Sequence, residues 1–346
     1  MGHGIDVLKR GLGRVTSRLH HLPIVMLAPH GGCNCRCIMC DIWKNNPRAQ
    51  RLEERDLKEL LPALRRLGTR RVVFTGGEAL MHPLLFEFCA LLKAQGLKIT
   101  LLSTGMLLKK NAEPIGRWVD EVILSLDGPQ PVHDRIRRVP GAFRKLAEGV
   151  RALRGFKPSI PISPRCVIQN ENFPFWRDTV SAAVGLGLDH ISFLAADVSS
   201  EAFNRPGGWE PAQKSQVAVP AERLPLLKEA LNEVLDGCRP EMERGFILEK
   251  APKLERIYHY YAALAGRGAF PAVRCNAPWV SAVIEADGSV LPCFFHPSLG
   301  NLGREALEPI LNGKKAREFR RNLEVESNAI CQKCVCSLNL APLARV

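Results

Sequence analysis

The chain has 346 residues, 46% of them hydrophobic and 24% charged, an ordinary globular mixture sized for one large domain with an appendage or for two modest domains. No apolar run approaches the ~18 residues that a membrane-spanning helix needs, and the opening MGHGIDVLKRGLGRV lacks the apolar stretch and cleavage site of a secretory signal, so a cytoplasmic location is expected. The net charge of +13 would suit nucleic acid or an acidic membrane, but the cations are dispersed apart from GKKAREFRR (313–321), with no aromatic residues interleaved in a basic motif, and nucleic-acid binding is not expected.

In chain order, residues 5–20 read as a basic amphipathic helix, with Ile5, Leu8, Leu12, Val15 and Leu19 at helical spacing. Such a helix can rest on a membrane surface; packing across the end of a barrel is the expectation here. From residue 23 strands and helices alternate. Strands are expected at 23–29, 70–77, 98–105, 121–128, 162–170 and 190–197. Helices are expected at 54–68, 83–96, around 111–117, at 141–155 and near 174–187. Six strands separated by helices imply a parallel sheet. Their polar or glycine-bearing C-terminal ends fit a partial (β/α)6 barrel of the TIM type, α/β in class, with its site at that end.

The polar stretch 198–220 reads as a loop beside the site, and residues 221–265 hold two helical patterns. The texture changes near 271. WVSAVIEADGSVLPCFF predicts a β-hairpin turning at Asp287–Gly288, followed by a helix over 304–322. The chain thus divides into an amphipathic helix (1–22), a core barrel (23–215), a helical linker (216–270) and a small α+β domain (271–346).

In a reducing compartment the twelve cysteines suit metal or redox chemistry better than disulfides. Cys89, Cys166 and Cys238 stand alone and read as small buried apolar residues. GGCNCRCIMCDIW, by contrast, crowds Cys33, Cys35, Cys37 and Cys40 into one loop. A tetrathiolate zinc site usually draws its ligands from two separated knuckles, whereas a cubane cluster can be held by three closely spaced cysteines. Cys33, Cys37 and Cys40 form C-x3-C-x2-C, which leaves one iron free to bind a small molecule, with Cys35 at an intervening position.

This loop, following the first strand, resembles the defining loop of the radical S-adenosylmethionine (radical SAM) superfamily, and further motifs follow in the family's order. The resemblance implies that TGGEAL (75–80) meets the methionine amino group, with Gly76 and Gly77 permitting close approach and the Glu78 carboxylate complementing an ammonium. It further implies that LLSTG (101–105), with Ser103 and Thr104, and SLDG (125–128), with Ser125 and Asp127, bind the ribose and sulfonium region. Arg165 is placed to pair with the methionine carboxylate. Met39 stands where many members carry an aromatic residue. The segment SLDGPQPVHDRIRRVPGAF (125–143) resembles a subgroup with a C-terminal auxiliary-cluster domain.

Near the other end, Cys275-x12-Gly288-x4-Cys293 and the knuckle Cys331-x2-Cys334 would suit zinc equally well on spacing alone. The arrangement resembles the auxiliary [4Fe-4S] domain called SPASM in its shortened form, twitch, which implies one auxiliary cluster held by these four thiolates. Cys336 is either a replacement for Cys334 or a bystander. The implied activity is reductive cleavage of S-adenosylmethionine to a 5′-deoxyadenosyl radical that takes hydrogen from a substrate carbon. A net oxidation assisted by the auxiliary cluster, with a reductant such as flavodoxin or ferredoxin, is expected. The substrate is a small molecule or a peptide. A peptide-crosslinking maturase is the enzymatic alternative, although the 22 residues before the barrel leave little room for peptide recognition. An iron–sulfur electron carrier is the non-enzymatic one, and it would have no use for a sulfonium site.

Overall fold

The computed structural model describes residues 2–344 and 346. Strands β1 (Ile24–Leu27), β2 (Arg71–Phe74), β3 (Lys98–Ser103), β4 (Glu121–Ser125), β5 (Ile162–Ile168) and β6 (Ser192–Ala195) run parallel in chain order. Helix α1 (Gly2–Thr16) precedes them. The crossovers carry α2 (Glu54–Arg66), α3 (Leu85–Ala94), α4 (Ala112–Trp118), α5 (Gln130–Arg137), α6 (Ala142–Phe156) and α7 (Trp176–Gly185). Helices cover the outer face of the sheet, so the strands are Val-, Ile- and Leu-rich rather than alternating with charge. Val72, Phe74, Phe88 and Trp176 lie in one continuous buried core.

Local chemistry sets the helix ends. At α2 the Glu53 amide donates to Asp56 Oδ2 at 2.7 Å in a reciprocal capping box, and Arg65 and Arg66 occupy the last turn. Its Leu57, Leu60 and Leu64 face the sheet.

The hairpin expected near Asp287–Gly288 forms as β7 (Ser281–Ile284) and β8 (Ser289–Leu291), joined by β9 (Gly300–Asn301). Gly288 takes φ +81° at the turn, a conformation that other residues rarely adopt. The hairpin does not form a sheet of its own. β7 lies parallel to β1, with Ile24 opposite Ser281 and Leu27 opposite Ile284. One nine-stranded sheet results, in the order β6-β5-β4-β3-β2-β1-β7-β8-β9.

The remaining helices are α8 (Pro211–Val217), α9 (Leu224–Gly237), α10 (Arg239–Glu243), α11 (Ala251–Leu264), α12 (Ala277–Val280), α13 (Leu307–Asn312), α14 (Lys314–Asn322) and α15 (Ala329–Gln332). The segment 216–270 packs on the β6 side of the sheet. Tyr261 Oη donates to the Ile168 carbonyl at 2.6 Å and accepts from the Ala196 amide at 3.0 Å. A parallel bridge between Ile191 and Ile247 further covers that edge.

Several expectations need correction. α5 was not foreseen, and α8 lies within a stretch expected to be loop. The single helix expected over 304–322 breaks at Gly313, where the chain extends at ψ 175° between α13 and α14. α1 forms, but with its apolar face outward: Ile5, Leu8, Leu12 and Val15 are 49–85% exposed. The opposite side packs on the molecule: Asp6 pairs with Arg70, just before β2, at 3.1 Å, Arg10 donates to the Ala344 carbonyl of the C-terminal tail, and Gly13 is buried where a side chain would meet the Arg18 carbonyl at 2.9 Å. Among the described residues no helix is long and apolar enough to cross a membrane.

Candidate functional site

A cavity of about 580 Å³ opens at the C-terminal ends of the strands. Cys33, Cys37 and Cys40 line it, whereas Cys35 is 1% exposed and does not. None of the twelve cysteines is in a disulfide.

The loop is held from three sides. Asn46 accepts from the Cys33 amide and donates to the Cys33 carbonyl, both at 2.8 Å. The end of α5 provides the carbonyls of Ile136 and Arg137, which accept from the amides of Ile38 and Arg36. On the third side, Gly76 and Gly77 bring the end of β2 against the loop. A Cβ on Gly77 would sit 2.0 Å from the Gly32 carbonyl oxygen, the same oxygen that accepts from the Glu78 amide at 3.0 Å. Close approach by these glycines is thus made to the cysteine loop itself.

Arg137 Nη1 donates to Cys37 Sγ at 3.4 Å, and Nη2 pairs with Asp127 Oδ2 at 2.5 Å. Both side chains are buried. A hydrogen bond with Cys35, opposed by burial and aided by the Arg137 charge, brings the Cys37 thiol down to about 7. Burial pushes Cys40 up to about 12.

Ser103, Thr104, Ser125, Arg165 and the two glycines border the cavity. Among the described residues Arg165 has no acidic partner; Nε lies 3.5 Å from Ser192 Oγ. Two of the residues singled out in the sequence stand back from it. Glu78 is fully buried and does not line the cavity. It accepts from the Leu80 and Thr104 amides and from the Ser103 and Thr104 hydroxyls, at 2.7–3.1 Å. Burial raises its pKa against these bonds. In this arrangement its carboxylate fixes Ser103 and Thr104. Asp127 is likewise fully buried and away from the cavity, reaching the site only through Arg137.

The segment 197–209 closes one side around an ion pair. Arg205 donates to the Asp197 carbonyl at 2.8 Å, pairs with its carboxylate at 2.9 Å and lies over the Trp209 ring. Trp209 Nε1 in turn donates to Asp41 Oδ2 at 2.7 Å, just after Cys40. Phe203 packs against Phe294 and Phe295 of the hairpin region. Glu285, which also lines the cavity, has no hydrogen-bond or ion-pair partner for its carboxyl among the described residues, and burial, with Asp287 adding to it, raises its pKa to about 7.

At the second group of cysteines, burial raises the thiol pKa values of Cys293 and Cys334, with the neighbouring thiols adding to it. Burial likewise lifts Cys331 to about 12. Asn328 accepts from the Ile330 and Cys331 amides and starts α15; His296 Nε2 lies 3.3 Å from Cys331 Sγ. Asn276 ties the tail back through Leu338 and Leu340. Cys336 borders the cavity. Asn46, Asn276, Asn328 and His296 carried no sequence signal, because their partners are distant or are backbone groups.

A parallel partial barrel that offers three free thiols and a hydroxyl- and glycine-lined rim to one cavity defines an enzyme scaffold for an iron–sulfur cofactor with a bound small molecule. The family model described as the radical SAM superfamily matches residues 27–163, and SPASM, described as an iron–sulfur cluster-binding domain, matches 275–335. Over these residues the chain carries a radical SAM domain and a SPASM domain.

The AdoMet-dependent heme synthase of Methanosarcina barkeri is 26% identical over 331 residues, 88% of this chain and 87% of that protein. A protein of the same name from Oleidesulfovibrio alaskensis is 28% identical over 168 residues, 47% of this chain but only 43% of that protein. Streptococcus suis SuiB, solved with S-adenosylmethionine and also with the precursor peptide SuiA, superposes with a TM-score of 0.64 at 13% identity, over 96% of this chain and 78% of that one. At that identity the likeness establishes the fold alone.

The family implies a [4Fe-4S] cluster and S-adenosylmethionine, and the SPASM domain implies auxiliary iron–sulfur clusters. The residues fit these groups. Cys33, Cys37 and Cys40, three thiols of one short loop, line the same cavity, a donor set that suits a multi-iron cluster.

Proposed function

We propose that this radical SAM enzyme acts on a small organic molecule in the cavity and that the net reaction is an oxidation, with the SPASM domain as electron outlet. The observation that carries the reading is a shared chamber, lined by Cys33, Cys37 and Cys40 together with Glu285, Phe295 and Cys336 of the C-terminal region. When bound, the clusters and S-adenosylmethionine supply a hydrogen-abstracting radical and an electron sink.

The chain's own residues do the positioning. Cys33, Cys37 and Cys40 would hold the first cluster, and Cys275, Cys293, Cys331 and Cys334 a single auxiliary one. Ser103, Thr104, Ser125, Arg165 and the backbone of Gly76 and Gly77 would bind the nucleoside and its amino-acid end. Arg137 holds negative charge on Cys37, and the 197–209 segment with its phenylalanines excludes water. The reading includes a cytoplasmic location and a flavodoxin- or ferredoxin-type donor. The heme synthase that aligns along most of both chains favours a small-molecule substrate. A peptide side chain has the fold likeness to SuiB behind it and stands second.

Anaerobic protein with dithionite and S-adenosylmethionine should release 5′-deoxyadenosine, and a deuterated substrate should pass its label to that product. Absence of release under those conditions overturns the reading. Iron analysis should give two four-iron clusters per chain; one such cluster together with zinc would remove the electron outlet.

A further inference from the structure

Two sequence features take no part in the chemistry above, the amphipathic stretch and the dense basic run, and the fold brings them together. Asn312 Nδ2 donates to the Leu19 carbonyl at 3.0 Å while its Oδ1 accepts from the Leu19 amide at 2.7 Å. Arg320 Nε, buried, donates to the Ser17 carbonyl at 2.9 Å. Helix α14 is thereby fixed beside the end of α1.

We propose that α1 and α14 together form a docking surface for an anionic lipid bilayer. On α1, Ile5, Leu8, Leu12 and Val15 form a solvent-exposed aliphatic row about 15 Å long at the helical rise. A contiguous row of this kind differs from the scattered apolar residues that any surface carries. The acid in the helix, Asp6, is turned inward onto Arg70, so the outward side carries no negative charge. On α14, Lys314, Lys315, Arg317 and Arg321 are exposed, against one acid, Glu318. Apolar insertion combined with a neighbouring basic patch is the two-part signal that a stable but reversible lipid association needs.

Charge decides among the occupants. A second copy meeting this face about a two-fold axis would set the same cations against each other. Nucleic acid has no use for an aliphatic row, and among the described residues neither helix offers an exposed Phe, Tyr or Trp ring for stacking. Orientation agrees with lipid docking. Arg70, the partner of Asp6, immediately precedes β2, and α12, which touches α1, immediately precedes β7. The surface therefore lies at the strand-start end, and the cavity at the opposite end stays open to the aqueous phase.

The test is co-sedimentation of the full chain with vesicles of equal parts phosphatidylcholine and phosphatidylglycerol, compared with phosphatidylcholine alone. Sedimentation with the mixed vesicles and much less with the neutral ones is expected. Replacing Arg317 or Arg321 with Gln should weaken binding roughly fivefold per charge. Leu8→Ser and Leu12→Ser should each weaken it roughly tenfold. Because these side chains are exposed, thermal unfolding should not change in any of the four variants. The proposal is overturned if neither vesicle is bound, if neutral and anionic vesicles bind equally, or if Leu12→Ser binds like the parent. A concentration-dependent dimer that disappears in Leu12→Ser, without vesicle binding, would assign the face to a second copy. DNA binding lost only in the α14 variants would assign it to nucleic acid.

Discussion

Arg137 is the residue on which the cysteine loop leans most, and removing it should show this quantitatively. Its guanidinium and the Asp127 carboxylate are almost wholly withdrawn from water, at 7% and 0% exposure. Arg137→Met keeps the length of the side chain but leaves Asp127 charged and unpaired, and breaking such a pair costs about 3–5 kcal/mol. Asp127→Asn strands the cation instead and should cost a similar amount. For a chain of this size ~2 °C per kcal/mol is the expected conversion, so each single variant should melt on the order of 5–10 °C lower. Replacing both with apolar residues, Arg137→Met with Asp127→Leu, should recover most of that loss, because a buried pair is worth little against good packing. The double variant should still hold iron poorly after anaerobic reconstitution, since Cys37 has lost its donor. Single variants melting within ~1 kcal/mol of the parent, or a double variant as unstable as the worse single, would refute the argument.

Gly77→Ala forces a methyl onto the Gly32 carbonyl 2.0 Å away; a loss of at least ~2–3 kcal/mol and of reconstituted iron is expected, read by melting and iron assay. Glu285 has a folded pKa of about 7, raised above its ordinary value of 4.5. Its ionisation therefore costs stability as pH rises from 4.5 to 7, and the full cost persists above that. Glu285→Gln should accordingly gain up to ~3 kcal/mol at pH 8 and nothing below pH 4.5, which a pH series of denaturant melts measures. Cys275→Ala should lower iron to roughly half while leaving 5′-deoxyadenosine release in place; release lost together with the iron would make the second cysteine group part of the first site. Asn46→Ala removes both hydrogen bonds that fix Cys33 and should cost about 1–2 kcal/mol in melting.

The barrel was legible because each strand is a short apolar run ended by Gly or a polar residue, and each crossover carries a helical apolar period. What stayed hidden depended on partners far away in sequence. The β1–β7 pairing joins residues 24–27 to 281–284, and nothing local to either segment specifies it. Helix α5 was missed because QPVHDRIR is mostly polar; its Val132, His133, Ile136 and Arg137 are buried by neighbours the sequence does not name. The outward face of α1 was misread for a related reason. Periodicity shows that a helix has an apolar stripe, but the other side is the one held, through Asp6 to Arg70 and Arg10 to the C-terminal tail. At the site, the three thiols and the hydroxyl rim were readable as motifs. The inward turn of Glu78 was not, because it follows from how Ser103 and Thr104 face it.

The continuous sheet has a mechanical consequence. The loop bearing Cys33, Cys37 and Cys40 springs from one end of β1, and the hairpin leading to Cys293 begins with β7, the ribbon hydrogen-bonded alongside it. The two sulfur-bearing segments are thus riveted to adjacent planks of a single floor rather than mounted on bodies that swing about a tether. The spacing of the two segments is set by backbone pairing, so a one-residue slip between β1 and β7 would change it.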